Sequence, residues 1–391
     1  MNYLRNTTIL LFVITVSGCD ADSGADPGAA TPEVPHDVLT VDQVIGGADE
    51  KSPEYEFGRV AGLALLADGR VALVDGINNL VRVFSREGKH LFAFGREGAG
   101  PGEFSGPCCP AVDSRQRLWI RDGGNARYSI FEIHSDSAGY SGQVRMAHGD
   151  VNRWVATTFD AAGSVIDIGS RTDPQAGVRR TYRMHLDSAG SVVREEAVHK
   201  VPDDSTAVKT IKREIPGGVA TLFGYQPHGP SELVAYSPNG EFAHALSSRH
   251  VIDWRAPDGS LIRTITGAVA QGPALSARED SAAEERLRVL ADRFDMTVPQ
   301  LGLDVPDRKT PLRDLFFDDH GRLWVELQVP DGGDRMAHVY DVSGILERTV
   351  AWPASISLAE GIIRDETVWG VGRDSLDVPT VVRLRGLGTR N

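Results

Sequence analysis

Two adjacent cysteines, Cys108 and Cys109, stand between Pro107 and Pro110. Neighbouring thiols in an oxidising compartment can close a vicinal disulfide that presents sulfur and apolar surface. Reduced, the same pair would offer two thiolates to a soft metal, and a third reading is two small buried residues that stay reduced. The flanking prolines restrict the turn in every case. His244 and His250 are six residues apart, but Ser247 and Ser248 place a turn between them and no further ligand is in view. The run Asp318-Asp319-His320-Gly321 lacks the spaced oxygen ligands of a calcium loop and reads as hairpin-turn chemistry. Gly95 to Gly102 lacks dinucleotide spacing, and Pro101 with no following helix removes that reading. The sequence holds no nucleophile elbow, His-Glu-x-x-His, P-loop or Cys-x-x-Cys. A catalytic set would have to be gathered from distant segments.

The elements that would gather it repeat. An acidic or glycine turn is followed by a short apolar strand whose first residue falls at 71, 118, 165, 242, 323 and 368. The spacings are 47, 47, 77, 81 and 45, near the ~40–50 residues of a propeller blade, with two intervals enlarged by insertions. A second turn marker trails each of the first five, so each unit holds about four antiparallel strands. Six units predict an all-β, six-bladed β-propeller over residues 37–388. The last unit, ending Thr380 to Leu384, is one strand short. The orphan strand Asp37-Val38-Leu39-Thr40-Val41 is expected to complete it, so that both termini close one ring.

The join between the first two units reads Phe94-Gly95-Arg96-Glu97-Gly98-Ala99-Gly100-Pro101-Gly102-Glu103-Phe104, then Pro107, then Asp122-Gly123-Gly124-Asn125-Ala126-Arg127. This resembles the NHL repeat, with its glycine-proline-glycine linker and its Asp-x-x-Asn-x-Arg strand turn, over roughly residues 60–131. The first unit keeps Asp75 and Asn78 but has Leu80 where the repeat prefers arginine. The wider layout is similar to bacterial six-bladed β-propeller lipoproteins with NHL-like repeats.

Propellers work at the channel mouth, where loops preceding the innermost strands converge. Those positions are Arg59, Cys108 and Cys109, Trp154, Tyr225 and His228, Arg313, and Glu360. Trp119, Trp324 and Trp369 occupy equivalent strand positions and read as packing between blades. Within residues 272–310, Ser276 to Glu279 fits a capping box. Ala283, Leu287, Leu290, Ala291 and Phe294 then form one helical stripe to about Met296. This helix either lids the mouth or fills one face.

Residues 1–18 carry Arg5 and a short apolar run from Ile9 to Val16, too short for a membrane span and laid out like a secretory signal. Val16-Ser17-Gly18-Cys19 resembles the lipobox of bacterial lipoproteins. That resemblance implies an acylated Cys19 anchored in a lipid bilayer and a cell-envelope location, facing the periplasm or cell surface. Residues 19–36, rich in Asp, Pro, Gly and Ala, read as a flexible tether. Asp and Glu total 54 against 41 Lys and Arg, a net charge of -13, which argues against a nucleic-acid partner.

Two functions fit. The first is a tethered binding or scaffold propeller for a peptide, glycan or protein, needing no cofactor. The alternative is a metal-dependent, lactonase-like hydrolase or lyase at the mouth, with calcium as its cation. A sensory or redox role centred on Cys108 and Cys109 is a third, narrower reading.

Overall fold

The computed structural model describes residues 34–388 apart from 51, 148–155, 161, 173–178, 198–206, 216–217 and 366. The signal and tether expected over 1–33, with Cys19, lie outside the described residues. Strands β1 (His36–Val38) and β2 (Thr40–Gly46) come first. One sheet follows from β3 (Val60–Leu65), β4 (Val71–Asp75), β5 (Leu80–Phe84) and β6 (His90–Phe94), and a second from β7 (Pro107–Val112), β8 (Leu118–Asp122), β9 (Arg127–Ile133) and β10 (Ala138–Arg145). The third holds β11 (Thr158–Phe159), β12 (Val165–Thr172), β13 (Arg179–Leu186) and β14 (Val192–Ala197). After a hairpin of β15 (Val208–Ile215) and β16 (Gly218–Tyr225) comes the sheet of β17 (Glu232–Tyr236), β18 (Phe242–Leu246), β19 (Val251–Arg255) and β20 (Leu261–Thr266). Helices α1 (Ala277–Arg293) and α2 (Val298–Leu301) precede β21 (Leu312–Phe317), β22 (Leu323–Leu327), β23 (Arg335–Tyr340) and β24 (Leu346–Trp352). The chain ends with β25 (Ser357–Arg364), β26 (Thr367–Arg373) and β27 (Pro379–Arg385).

This is a β-propeller. Strands β4, β8, β18 and β22 are buried at every position, because each sheet is covered on both faces by its neighbours. They are the apolar strands whose spacing set the repeat. The core is therefore divided between sheets. Ile45, Val60 and Phe84 share one cluster with Trp369 and Val381, and Trp324 and Trp352 share another with Val382 and Leu384.

One turn device recurs. Asp113, Asp160, Asp187, Asp318, Asp341 and Asp374 each accept, through Oδ1, the backbone N–H groups two and four residues later. The side chain thus pairs turn donors that the strand ladder leaves open. Asp113 and Asp318 also accept the indole N–H of Trp119 and Trp324, at 2.9 and 3.0 Å. An apolar core residue is thereby tied to the turn before it.

Closure is made by β2, which pairs antiparallel with β27 from Thr40↔Arg385 to Gly46↔Thr380. The closing strand starts later than the segment 37–41 suggested. Residues 36–38 instead add β1 parallel to β24 in the preceding sheet, since Leu39, at 1% exposure, is spent in the core between the two sheets.

The two enlarged intervals fold against one another. Ile211 of β15 shares a satellite cluster with Leu287 and Ala291 of α1 and with Leu301 and Leu303. Helix α1 starts at the expected capping box, Ser276 with Glu279. The first insertion, read from spacing alone, is the β15–β16 hairpin. No helix among the described residues is long and apolar enough to cross a membrane.

Candidate functional site at the strand starts

The first strands of four sheets share an irregularity that β11 and β17 lack. Register shifts interrupt β3 between Val60 and Leu63, β7 between Cys108 and Ala111, β21 between Leu312 and Asp314, and β25 between Ser357 and Ile362. A bulge of this kind turns a side chain out of the alternating pattern. Cys109, Arg313 and Glu360 all lie inside these shifts. They are the positions at which the alternation of side chains along the strand is broken.

At β21 the bulge assembles a charged cluster. Arg313 is the extra residue, and Asp314 pairs with Glu326 across the ladder. Glu326 is 1% exposed and meets Arg335 Nη1 at 3.1 Å and Arg313 Nε at 3.2 Å. Arg335 also donates from Nε to the Ala354 carbonyl at 3.1 Å. Glu360, on the next sheet, accepts from the Ser357 hydroxyl at 2.8 Å and lies within electrostatic reach of Asp314 and Arg335. Burial pushes the Glu326 carboxyl up to about 7 against the pull of the two arginines. Burial likewise raises Asp314. Glu326 thus favours its protonated form up to near-neutral pH beside two guanidinium groups, of which the Arg313 side chain stays 44% exposed. Such a set can grip a carboxylate and exchange a proton with it.

Of the residues expected at the mouth, Arg313 and Glu360 are brought together here. Asp314, Glu326 and Arg335 were missed. Glu326 carried a signal, being a carboxylate inside the apolar strand Leu323-Trp324-Val325-Glu326-Leu327.

Cys108 is buried and Cys109 half-buried, and the structure joins their sulfurs in a disulfide. Cys109 has a φ of +55°, and its carbonyl accepts from Thr157 Oγ1 at 2.6 Å. The loop lies so close to β3 that a Cβ on Gly62 would stand 2.5 Å from Pro110 Cδ. Arg59 is exposed nearby, its backbone N–H donating to Asp75 Oδ1 at 3.2 Å.

The NHL-like residues are struts for these loops. Asp122, fully buried, accepts from Ser105 N, Asn125 Nδ2 and Arg127 Nε at 2.7, 2.7 and 3.0 Å. Arg127 spends its remaining donors on the carbonyls of Ala99, Gly100 and Glu103 and on Gln143 Oε1, so that it clamps the glycine-proline-glycine linker. In the first sheet Arg82, not residue 80, supplies this arm, reaching Asp75 Oδ2 at 2.6 Å and the Glu56 carbonyl at 3.1 Å. Positions 80 and 82 share a strand face, and a long side chain covers the difference. Although burial opposes it, hydrogen bonds from Asn78, Gly58, Arg82 and Arg59 hold the Asp75 carboxyl below its usual value.

Tyr225 and His228 separate. Tyr225 ends the inserted hairpin and is 69% exposed. His228, at a φ of +55°, lines a cleft of about 260 Å³ with Gln226, Lys309 and Pro311, and burial lowers its pKa. Trp154 lies outside the described residues. His244 bonds Glu232 at 2.9 Å and His250 bonds the Tyr340 hydroxyl at 3.2 Å, so the two histidines look to different partners. At the opposite end, ligand atoms of Asp319, His320 and Asp365 lie within 4.8 Å of one another. His320 and Asp365 already bond each other at 3.0 Å, and all three are exposed.

No family profile matches the chain. NHL repeat-containing protein 3 of Homo sapiens is 31% identical over 96 residues, 23% of this chain and 28% of that protein. The Mus musculus protein of the same name is 28% identical over 117 residues, 28% and 34% of the two chains. The chain thus spans about a third or less of the curated relatives it matches. Among solved structures, a protein of Bacteroides fragilis described as exported superposes with a TM-score of 0.50 at 11% identity, covering 90% of this chain and 96% of that one. Virginiamycin B lyase from Staphylococcus aureus gives 0.42 at 11% identity, covering 89% and 99%. Fold topology and local sequence agree on one description. The chain is a β-propeller protein, part of which is similar to NHL repeats.

Proposed function

We propose that this protein is a cell-envelope binding propeller, tethered to the bilayer through an acylated Cys19, that holds a carboxylate-bearing peptide or glycan of a partner at its strand-start face. The observation that carries the reading is the Arg313–Glu326–Arg335 cluster. Two guanidinium groups converge on one buried carboxyl that is half protonated near neutrality, so an incoming carboxylate can take over an arginine while Glu326 stays neutral. The bulged loops around it offer a shaped, mixed surface of the kind that selects a polar ligand.

The same pKa favours a second reading, a hydrolase or lyase in which Glu326 transfers protons. The carboxylates Asp314, Glu326 and Glu360 would be the donors for a calcium ion. Two adjacent guanidinium groups oppose that cation, and the donor set fits an anion better.

A thermal-shift screen of acidic peptides, uronic-acid oligosaccharides, divalent metals and chelator, run on the wild type and on Arg313→Ala, tests this. Stabilisation by an acidic ligand that disappears in Arg313→Ala supports the binding reading. Destabilisation by chelator, reversed by calcium, overturns it in favour of the metal-dependent enzyme. Acylation of Cys19 is checked by mass spectrometry of the membrane fraction against Cys19→Ser, which should be released as soluble protein.

A further inference from the structure

A second cleft, of about 430 Å³, opens at the other end of the sheets, where the first and last of them meet. Gly69 and Arg86 come to it from turns of the first sheet; Trp369, Arg383 and Arg385 come from the last. The chain carries a net charge of -13, yet three guanidinium groups gather here.

They are differently held. Arg383 is fixed, with Nε and Nη2 both 2.6 Å from Asp42 Oδ2, and Nη1 donating to the Arg86 carbonyl at 2.9 Å. Its guanidinium carbon lies 5.6 Å from the centre of the Trp369 ring. Arg385 gives only Nε to Asp42, at 2.9 Å, and its side chain is 67% exposed. Arg86 is exposed, and among the described residues its guanidinium has no ion pair or hydrogen bond. It lies across Gly69, where a Cβ would stand 3.2 Å from its Nε. Asp42 is committed to Arg383 and Arg385, and Glu87 at the rim is the other acid beside Arg86. One cation is thus locked by an aspartate and an indole, while two present unused donors over the same hollow.

We propose that this cleft is an anion site for a phosphate-bearing group, with Arg86 and Arg385 as its gripping residues and Arg383 as the fixed floor. Planar guanidinium groups meet the oxygens of a phosphate two at a time, which a cluster of lysines would not do. The hollow, about 430 Å³, accommodates a phosphate ester, and the exposure of Arg86 and Arg385 makes the attraction sensitive to salt. The site shares no residue with the Arg313 cluster, so either can fail alone.

The test is calorimetric titration of the full chain with inorganic phosphate at low ionic strength, against chloride at matched strength. The wild type and Arg313→Ala should bind, and Arg86→Ala/Arg385→Ala should bind at least tenfold more weakly with an unchanged circular dichroism spectrum. Co-sedimentation with phosphatidylglycerol vesicles, against phosphatidylcholine alone, separates the sources. Sedimentation lost in the double variant assigns a lipid headgroup, whereas phosphate binding without sedimentation assigns a soluble phosphate ester. Absence of phosphate binding by the wild type, or equal binding by the double variant, overturns the site.

Discussion

Arg127 donates from Nε to Asp122 at 3.0 Å and from Nη2 to the Gly100 and Glu103 carbonyls at 2.9 and 2.8 Å. One side chain therefore carries the strand turn of the second sheet and the linker that leads into it. Truncating it leaves Asp122, which has no exposed surface, as a buried charge without its counter-ion, held only by Ser105 N and Asn125 Nδ2. Arg127→Ala should lower the unfolding free energy by about 3–5 kcal/mol. Arg127→Lys should recover only part of that, because a lysine cannot serve the carbonyls and the carboxylate at once. Denaturant midpoints of the three proteins check both expectations.

Glu326 gives a pH signature. Its carboxyl sits at about 7 in the folded protein against an ordinary 4.5, so the native state holds a proton that the unfolded chain releases. The associated stability is fully present below 4.5 and is lost as pH rises through about 7, on the order of 3 kcal/mol. Glu326→Gln should flatten the stability profile over that window. A profile that matches the wild type between pH 4.5 and 7.5 would show that burial does not hold the proton there.

His250 acts with the opposite sign. Burial, then the neighbouring His338, lowers it from 6.5 to about 4, and its ring is 5.5 Å from that of His338. The neutral ring is the native form, so its contribution is present above 6.5 and is lost as pH falls through about 4. The difference between wild type and His250→Gln should grow in that acidic interval. Urea titrations at stepped pH would read it.

The turn device can be tested at one bond. Trp324→Phe keeps the ring in the core but removes the indole N–H that Asp318 accepts at 3.0 Å. A loss of about 1–3 kcal/mol is expected, since a buried carboxylate oxygen loses a partner. Trp119→Phe, with its bond to Asp113 at 2.9 Å, should cost a similar amount. Agreement between the two would show that the repeat conserves an interaction and not merely a shape.

Gly62 has a φ of +135°, and a Cβ there would strike Pro110. Gly62→Ala should destabilise by about 1–3 kcal/mol and should disturb the Cys108–Cys109 loop more than the rest of the molecule. Hydrogen exchange localised to residues 107–112 would register it.

Periodicity was well placed to find the second strands. Their apolar runs at 71, 118, 242 and 323 are buried on both faces and had few alternatives. Capping chemistry marked Ser276 as a helix start for a similarly local reason. The closing strand was displaced because Val38 and Val41 read as apolar strand positions, although both face solvent, and Leu39 is the residue that reaches the core. Arg82 was passed over because the repeat places its arginine two positions earlier. The place of Glu326 in the site is hidden from the sequence because that residue lies in a second strand, which the bulge at Arg313 brings into the site. Bulges arise from how two strands fit, and neither strand records that fit alone.

The pairing of Thr40–Gly46 with Thr380–Arg385 joins segments separated by most of the chain. Contacts of such sequence separation form slowly, because a long loop must be ordered before its ends can reward one another. Until β27 is available, β2 has no antiparallel partner and the last sheet keeps an open edge. A molecule built this way locks late, and its slowest refolding phase should report the pairing of β2 with β27.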